Sequence, residues 1–255
     1  MHISFRTALL LLFLWLVPDD GQAEDTIVRF GHYNGYPPMT HGDGADVQGI
    51  LVESLKEIFS RVDGYSAAFY GYPWARAQKM VAAGRLDAFC TVPTPARLDY
   101  TYFGSEAVWD PLPVAFYDAD NPHAGRIRDI REKKDLEDIL LIDFIGDGWG
   151  EANLSEFEPQ KVADLETVFR LLKRHRADAH ITPYLLGQYQ INRLGMEFAH
   201  VDLPFFGDGF TFKIGIRKDF PNAEDLLVRL DAAITELREE GELARIQKDY
   251  LQRVN

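Results

Sequence analysis

YGYPWARAQKMVAAGRLDAFCTVPTPARLDYTYFGSE, residues 70–106, holds one helix, one strand and one turn whose order decides the fold. Pro73 suits a helix start, because a proline in the first turn gives up no needed N–H donor. Trp74, Ala77, Met80 and Val81 follow at helical spacing, and Gly84 can stop the helix. Residues 86–92 are a short, mostly apolar run that reads as a buried strand, ended by a proline-rich turn around Thr94. Arg97 comes just beyond, at the carboxyl end of that strand, where an α/β sheet delivers its chemistry. An aromatic ring, the hydroxyls of Thr91 and Thr94, and a guanidinium are therefore expected at one crevice.

Outward from this stretch the pattern continues. Residues 26–30 are β-branched enough for a strand, and residues 31–39 read as the loop at its carboxyl end. Val47, Ile50, Leu51, Leu55, Ile58 and Phe59 mark an amphipathic helix, and a strand follows over residues 65–70. The order β-α-β-α-β predicts a parallel sheet with helices on its faces. Further strands are expected at 112–117, 140–145, 177–181 and 210–217, with a charged surface helix over 126–138. Asp164 can cap a helix carrying Leu165, Val168, Phe169 and Leu172 on its buried face. Thr182 and Pro183 suit the start of another, stopped by Gly195. Residues 146–150, GDGWG, form a glycine-rich loop before a helix that can hold an anion on backbone N–H groups. It lacks the Gly-Lys-Ser/Thr ending of a P-loop.

The amino terminus reads as a secretory signal peptide over residues 1–23. Arg6 precedes an apolar run at 8–17, and Gly21-Gln22-Ala23 offers a small-x-small cleavage site. Ten apolar residues fall short of the ~20 that span a bilayer. The chain carries 27 basic and 40 acidic residues, a net charge of −13, which excludes a nucleic-acid binder with a basic face. Cys90 is the one cysteine, so no intramolecular disulfide can form. No nucleophile constellation surrounds it, and a buried inert thiol is the expectation. His32, His41, Asp43 and Asp46 share a loop, but their spacing fits no structural zinc pattern, and neither metal nor cofactor is expected.

The stretch also resembles the extracellular solute-binding proteins of family 3, the amino-acid-type substrate-binding proteins of ABC transporters. Trp74, then Gly84-Arg85-Leu86-Asp87-Ala88, then Thr94-Pro95-Ala96-Arg97 are similar to an aromatic, G-K-x-D-A and T-x-x-R in that family. Tyr36-Pro37-Pro38-Met39 resembles its aromatic-x-Pro-aromatic segment, with Met39 at the second aromatic position. Residues 233–250 resemble its closing helical pattern and are the strongest match. The resemblance implies that Arg97 holds a ligand carboxylate and that Tyr36, Trp74 and Trp149 form aromatic walls. Thr91 and Thr94 would supply hydroxyls, and Gly150 stands where the family has a ligand-binding Ser or Thr. The family's D-A-x-x-x-D becomes Asp178-Ala179-His180-Ile181-Thr182-Pro183, so Pro183 replaces the aspartate that binds an α-ammonium.

The expected fold is therefore a two-lobe α/β periplasmic-binding-protein fold (type II), with a mainly parallel sheet in each lobe and two hinge crossings. Lobe 1 would comprise residues 24–110 and 213–255, and lobe 2 residues 111–212. The expected function is capture in the periplasm of a small polar solute bearing a carboxylate, an amino acid or derivative. A monomer would deliver it to the membrane permease of an ABC transporter. The resemblance extends to periplasmic cyclohexadienyl dehydratases, so an enzyme with Glu106 or Glu151 as proton-transfer group is the alternative. A sensing module docking on a membrane receptor is another.

Overall fold

A computed structural model describes residues 25–207 and 210–254. The signal peptide expected over residues 1–23 lies outside the described residues. Strand β1 (Thr26–Tyr33) pairs in parallel along its whole length with β4 (Tyr65–Tyr72), from Thr26 opposite Tyr65 to Tyr33 opposite Tyr72. This full ladder carries β1 three residues into the segment expected to be loop. The remainder of that segment is a small hairpin of β2 (Gly35–Tyr36) and β3 (Thr40–His41).

Helix α1 (Ile50–Ser60) buries Ile50, Leu51, Leu55, Ile58 and Phe59. Gly49 before it has φ +137°, and a Cβ there would meet the Met39 carbonyl oxygen at 2.1 Å, so only glycine fits. Helix α2 (Trp74–Ala82) follows Pro73, which occupies the cap position just ahead of the first helical residue. Strand β5 (Ala88–Thr91) is buried throughout and pairs in parallel with β1. The turn after it closes into a short helix, α3 (Pro95–Leu98), with Thr94 as cap and Pro95 at the first position.

Strand β6 (Thr101–Trp109) completes the outward run of the first sheet, and β7 (Pro113–Tyr117) opens the second. The charged run at 126–138 is not one helix. It is a short helix, α4 (Ala124–Arg128), and a separate 3₁₀ turn at Lys133–Leu136. Ile127, Ile130, Leu136 and Ile139 are all buried there, and the chain bends between them to bring each into the core. Next come β8 (Ile142–Phe144), α5 (Gly148–Asn153), β9 (Gln160–Val162) and α6 (Leu165–Leu172). They are followed by β10 (His180–Pro183), α7 (Tyr184–Leu194) and β11 (Ala199–Asp202). Thr182 and Pro183 thus end a strand, and the helix begins one residue later. The Thr182–Val114 and Pro183–Pro113 pairing holds them in the sheet. Strand β12 (Phe212–Arg217) re-enters the first sheet, and α8 (Ala223–Glu239) and α9 (Glu242–Val254) close the chain.

The first sheet has the order β4-β1-β5-β12-β6. β4, β1 and β5 are parallel, whereas β12 runs antiparallel to both β5 and β6. In the second sheet β7 lies antiparallel between β10 and β11, and β8 and β9 form a parallel pair. A parallel bridge between Leu141 and Ala179 links that pair to β10. The architecture is two-lobed and α/β, with mixed sheets. In the first sheet only the returning strand β12 runs against the other four, and in the second β7 opposes β10 and β11, so the sheets are mixed where the sequence predicts them mainly parallel. The two passages between sheets lie side by side. The Thr211 hydroxyl donates to Asp110 at 2.7 Å, and the rings of Trp109 and Phe212 are 5.2 Å apart.

Asp87, in the segment that resembles G-K-x-D-A, is a structural clamp. Its buried carboxylate accepts from the Arg29 side chain at 2.7 Å, the Arg29 backbone N–H at 3.0 Å and Arg217 at 3.1 Å. Burial alone would raise its pKa, but the hydrogen bonds from Arg29 and Arg217 outweigh that and hold it low.

Candidate functional site

The carboxyl ends of the parallel strands β1 and β5 face the second sheet across a cleft, and a cavity of about 60 Å³ lies there. The first sheet contributes Tyr36, Trp74, Thr91 and Arg97 to its lining, and the second contributes Asp147, Gly148 and Trp149. The cleft is shut. Phe144 lies 6.3 Å from the Tyr33 ring and 6.1 Å from the Tyr36 ring, and the Gln190 amide donates to the Pro37 carbonyl at 3.5 Å.

Arg97 is 3% exposed. Its Nε donates to Gln78 Oε1 at 3.0 Å, and its Nη1 to the Val92 carbonyl at 2.6 Å. Its guanidinium carbon stands 5.2 Å from the Trp74 ring centre. A Cβ on Gly148 would lie 2.7 Å from Nη2, so the glycine lets the second sheet close over the guanidinium. Burial lowers the Arg97 pKa, but a guanidinium stays charged. Neither Asp99 nor any other described carboxylate forms an ion pair with it.

Five residues singled out from sequence, Arg97, Trp74, Tyr36, Thr91 and Trp149, meet at this one cavity. Trp149 is buried and stacks on Phe210 with 4.0 Å between ring centres. Two do not line it. Thr94 caps α3, its carbonyl accepting the N–H groups of Arg97 and Leu98 at 2.9 Å each. Gly150 lies behind the cavity wall, where a Cβ would meet Asp143 Oδ2 at 2.2 Å; it makes room for a carboxylate. The family's other aromatic position, Met39, is wholly buried in the core. Asp178 accepts from Leu140 N at 2.9 Å and Asn121 Nδ2 at 3.2 Å, and so fastens the second sheet.

Several lining residues escaped the sequence, Asp147 foremost. It caps α5, its Oδ1 accepting from the Trp149 backbone N–H at 3.0 Å. The glycine-rich loop therefore presents its own carboxylate where an anion site on backbone N–H groups was expected. Burial, and then the neighbouring Asp143, push the Asp147 carboxyl up to about 7. Asp143, buried beside it, is also raised by burial, although Lys161 donates to it at 2.7 Å. The order Asp-Phe-Ile-Gly-Asp at 143–147 was the available signal, two carboxylates four residues apart on either side of a turn.

Two histidines flank the site in their neutral forms. His32 lines the cavity at 2% exposure, burial depresses it to about 3, and its Nε2 has no hydrogen-bond partner. His180, behind Asp147, bonds the Ile142 carbonyl through Nδ1 at 2.9 Å. A carbonyl only accepts, so Nδ1 carries the proton and Nε2, also unpartnered, is a bare lone pair. Burial depresses His180 to about 4. Cys90 lines the cavity too, and burial raises its thiol pKa far above neutrality. The loop residues weighed as metal ligands are dispersed. His41 bonds the Tyr250 hydroxyl at 2.8 Å and Asp43 the Asn34 amide at 2.6 Å. Among the described residues no group of three His, Cys, Asp or Glu side chains is placed to hold a metal. The two glutamates considered for proton transfer lie elsewhere: Glu106 pairs with Arg238 at 2.6 Å, and Glu151 is exposed on α5.

The family model for bacterial extracellular solute-binding proteins, family 3, matches residues 28–253. The chain belongs to this family. Among curated protein sequences no significant match is found. Solved structures of similar fold include the substrate-binding protein of an amino acid ABC transporter, at TM-score 0.68 and 16% identity over 89% of this chain and 100% of that one. Another is an amino acid ABC transporter substrate-binding protein from Streptococcus pneumoniae bound to L-arginine, at TM-score 0.67 and 16% identity over 89% and 95%. A third is an ancestral amino acid-binding protein described as a precursor of cyclohexadienyl dehydratase, at TM-score 0.65 and 18% identity over 88% and 94%. Family membership makes this an extracellular-type solute-binding protein. Among the described residues no helix is long and apolar enough to cross a membrane.

Proposed function

We propose that this family member is an exported, monomeric capture protein. It takes a small carboxylate-bearing solute into the cleft and delivers it to the permease of an ABC importer. Arg97 carries the reading. Its Nε and Nη1 are fixed by Gln78 and Val92, and the guanidinium lines a closed cavity without a carboxylate of its own. A planar, permanently charged group held in this way matches a carboxylate, and the aromatic walls of Tyr36, Trp74 and Trp149 exclude water from the contact. We assign residues 24–110 and 213–255 to one lobe and 111–212 to the other. The joined passages at Asp110 and Thr211 act as the hinge, in keeping with domain closure in periplasmic binding proteins generally.

Thermal-shift screening against amino acids, their derivatives and small organic acids tests this. A ligand at ~100 times its dissociation constant stabilises the fold by about 2.7 kcal/mol. Arg97→Gln should weaken the hit at least ~30-fold while leaving the circular dichroism spectrum intact. Retained affinity in that variant would remove Arg97 from the site and overturn the reading.

A second reading has one observation in its favour. Asp147 keeps a proton near neutral pH inside the cavity, as a general acid must. Turnover of prephenate or arogenate by the purified protein would establish an enzyme; their persistence would leave capture as the function.

A further inference from the structure

Arg97 shares the cavity with one carboxyl group, and that group is already occupied. Asp147 lines the cavity from the second sheet and makes a side-chain hydrogen bond with Asp143 behind it. Two carboxyl groups in such contact hold one proton between them, because two ionised ones have no hydrogen to share and repel. Their neighbours decide where the proton sits. Lys161 donates to Asp143 Oδ2 at 2.7 Å, so the negative charge belongs on Asp143. Asp147 keeps the proton and donates it to Asp143, while its oxygens accept the backbone N–H groups of Trp149 and Gly150. It is satisfied within the fold and offers the cavity no charge.

The rest of the lining adds no negative charge. Among the described lining residues Arg97 is the one permanent cation and Asp147 the one carboxyl. Burial keeps the Tyr36 phenol and the Cys90 thiol protonated, and it holds the His32 imidazole neutral. Pro183 bears no charge and sits in the β10–β7 ladder opposite Pro113, away from the lining. The closed cavity therefore presents a single positive charge. A carboxylate cancels it. An ammonium arriving on the same molecule would meet no ionised partner at the lining, and a charge shut away without one is costly.

We propose that the cleft selects small carboxylic acids without an ammonium group, each bound on Arg97 beside the proton that Asp143 and Asp147 share. The inference rests on the capture reading above, because it takes Arg97 as the anchor.

The shared proton ties affinity to pH. Burial, and then Asp143, place the Asp147 carboxyl at about 7. Below that value the pair carries one negative charge, matched by Lys161. Above it a second negative charge appears in the cavity wall and opposes the incoming carboxylate. Affinity should fall as the pH rises above 7, and binding there should take up a proton. The other ionisable groups around the pair are Lys161 on β9, His180 on β10, Arg97 on α3 and Tyr36 on β2, with Glu151 exposed on α5 itself. Of these, His180 is neutral near pH 7, since burial depresses it to about 4.

The experiment is calorimetric titration of the mature protein at pH 6 and pH 8.5. The probes are the common α-amino acids, each paired with the acid of the same skeleton lacking the α-amine. Titrations at pH 8 in HEPES and in Tris, whose ionisation enthalpies differ, count the protons taken up. At pH 6 the deaminated acid that binds should do so at least ~30-fold more tightly than its amino acid. Its affinity should fall ~tenfold by pH 8.5, with proton uptake at pH 8. In Asp147→Asn, whose amide can still donate to Asp143, the affinity at pH 8.5 should rise towards the value at pH 6. The wild-type profile keeps the test decisive should the variant fold poorly. Tighter or equal binding of the amino acid would overturn the proposal, as would an affinity indifferent to pH without proton uptake. Loss of all binding in Arg97→Gln alongside either result would leave the capture reading standing and sink only this one. Binding of none of the probes would overturn the capture of α-carboxylates, and this inference with it.

Discussion

Asp147 shows how burial turns one side chain into a cost to the fold. Its pKa is about 7 in the fold against an ordinary carboxyl value of 3.8. Between these values the folded chain keeps a proton that the unfolded chain releases, so stability falls as pH rises through this window, and the full cost is present above pH 7. Asn can cap a helix as well as Asp. Asp147→Asn should therefore be more stable than the wild type at pH 8, by roughly 1–4 kcal/mol in urea denaturation, with the gap closing towards pH 4. A variant less stable at pH 8 would mean that the carboxylate is ionised and satisfied within the fold. Arg97 was legible in the sequence because a guanidinium after a strand and a proline turn has few other uses. Asp147 was not, because it is buried in a closed cleft beside Tyr36 of the first lobe, more than a hundred residues away in the chain. Thr94 and Gly150 lie one layer behind the cavity lining, which the sequence did not reveal, since spacing cannot tell which face of a turn meets the cavity.

At the scale of elements, the helices were legible and the strand limits less so. Apolar residues at helical spacing named the buried faces of α1 and α6, which the structure retains. β1 runs further than its β-branched residues indicate because the β4 ladder, not local propensity, sets its length. The run at 126–138 misled because its charges hid three buried anchors, Ile127, Ile130 and Leu136. Glycines record contacts that no periodicity reveals. Gly187 lies in α7 over the Phe116 ring of β7, where a Cβ would come within 2.1 Å of Cε2. Alanine normally improves a helix by ~1 kcal/mol over glycine. Here the ring is wholly buried, between Phe169 and Tyr184, and cannot retreat. The clash outweighs propensity, and Gly187→Ala should lose ~1–3 kcal/mol of stability in urea denaturation. A stabilised Gly187→Ala would show that the ring yields.

Over the whole molecule, the out-and-back path of the chain was legible from the order of elements and the closing helices. The mixed sheets follow from that same path, since a strand returning beside β5 must run against it. What the sequence could not give is the closed state, in which Gly148 meets Arg97 and Phe144 meets Tyr33 and Tyr36. Those contacts close over the cavity, so in the capture reading proposed above a solute enters and leaves only when the lobes part. The lone sulfur of Cys90, set in the wall of that cavity, then works as a clock. It is sheltered while the cleft is shut and meets a thiol reagent when the cleft opens, so its rate of alkylation counts openings. Saturating ligand should slow that rate at least tenfold, in step with the fraction of protein bound. A rate indifferent to ligand would mean that the reagent reaches the sulfur by local fraying of β5. A protein built to catch and release thus carries its own timekeeper, readable without any engineered label.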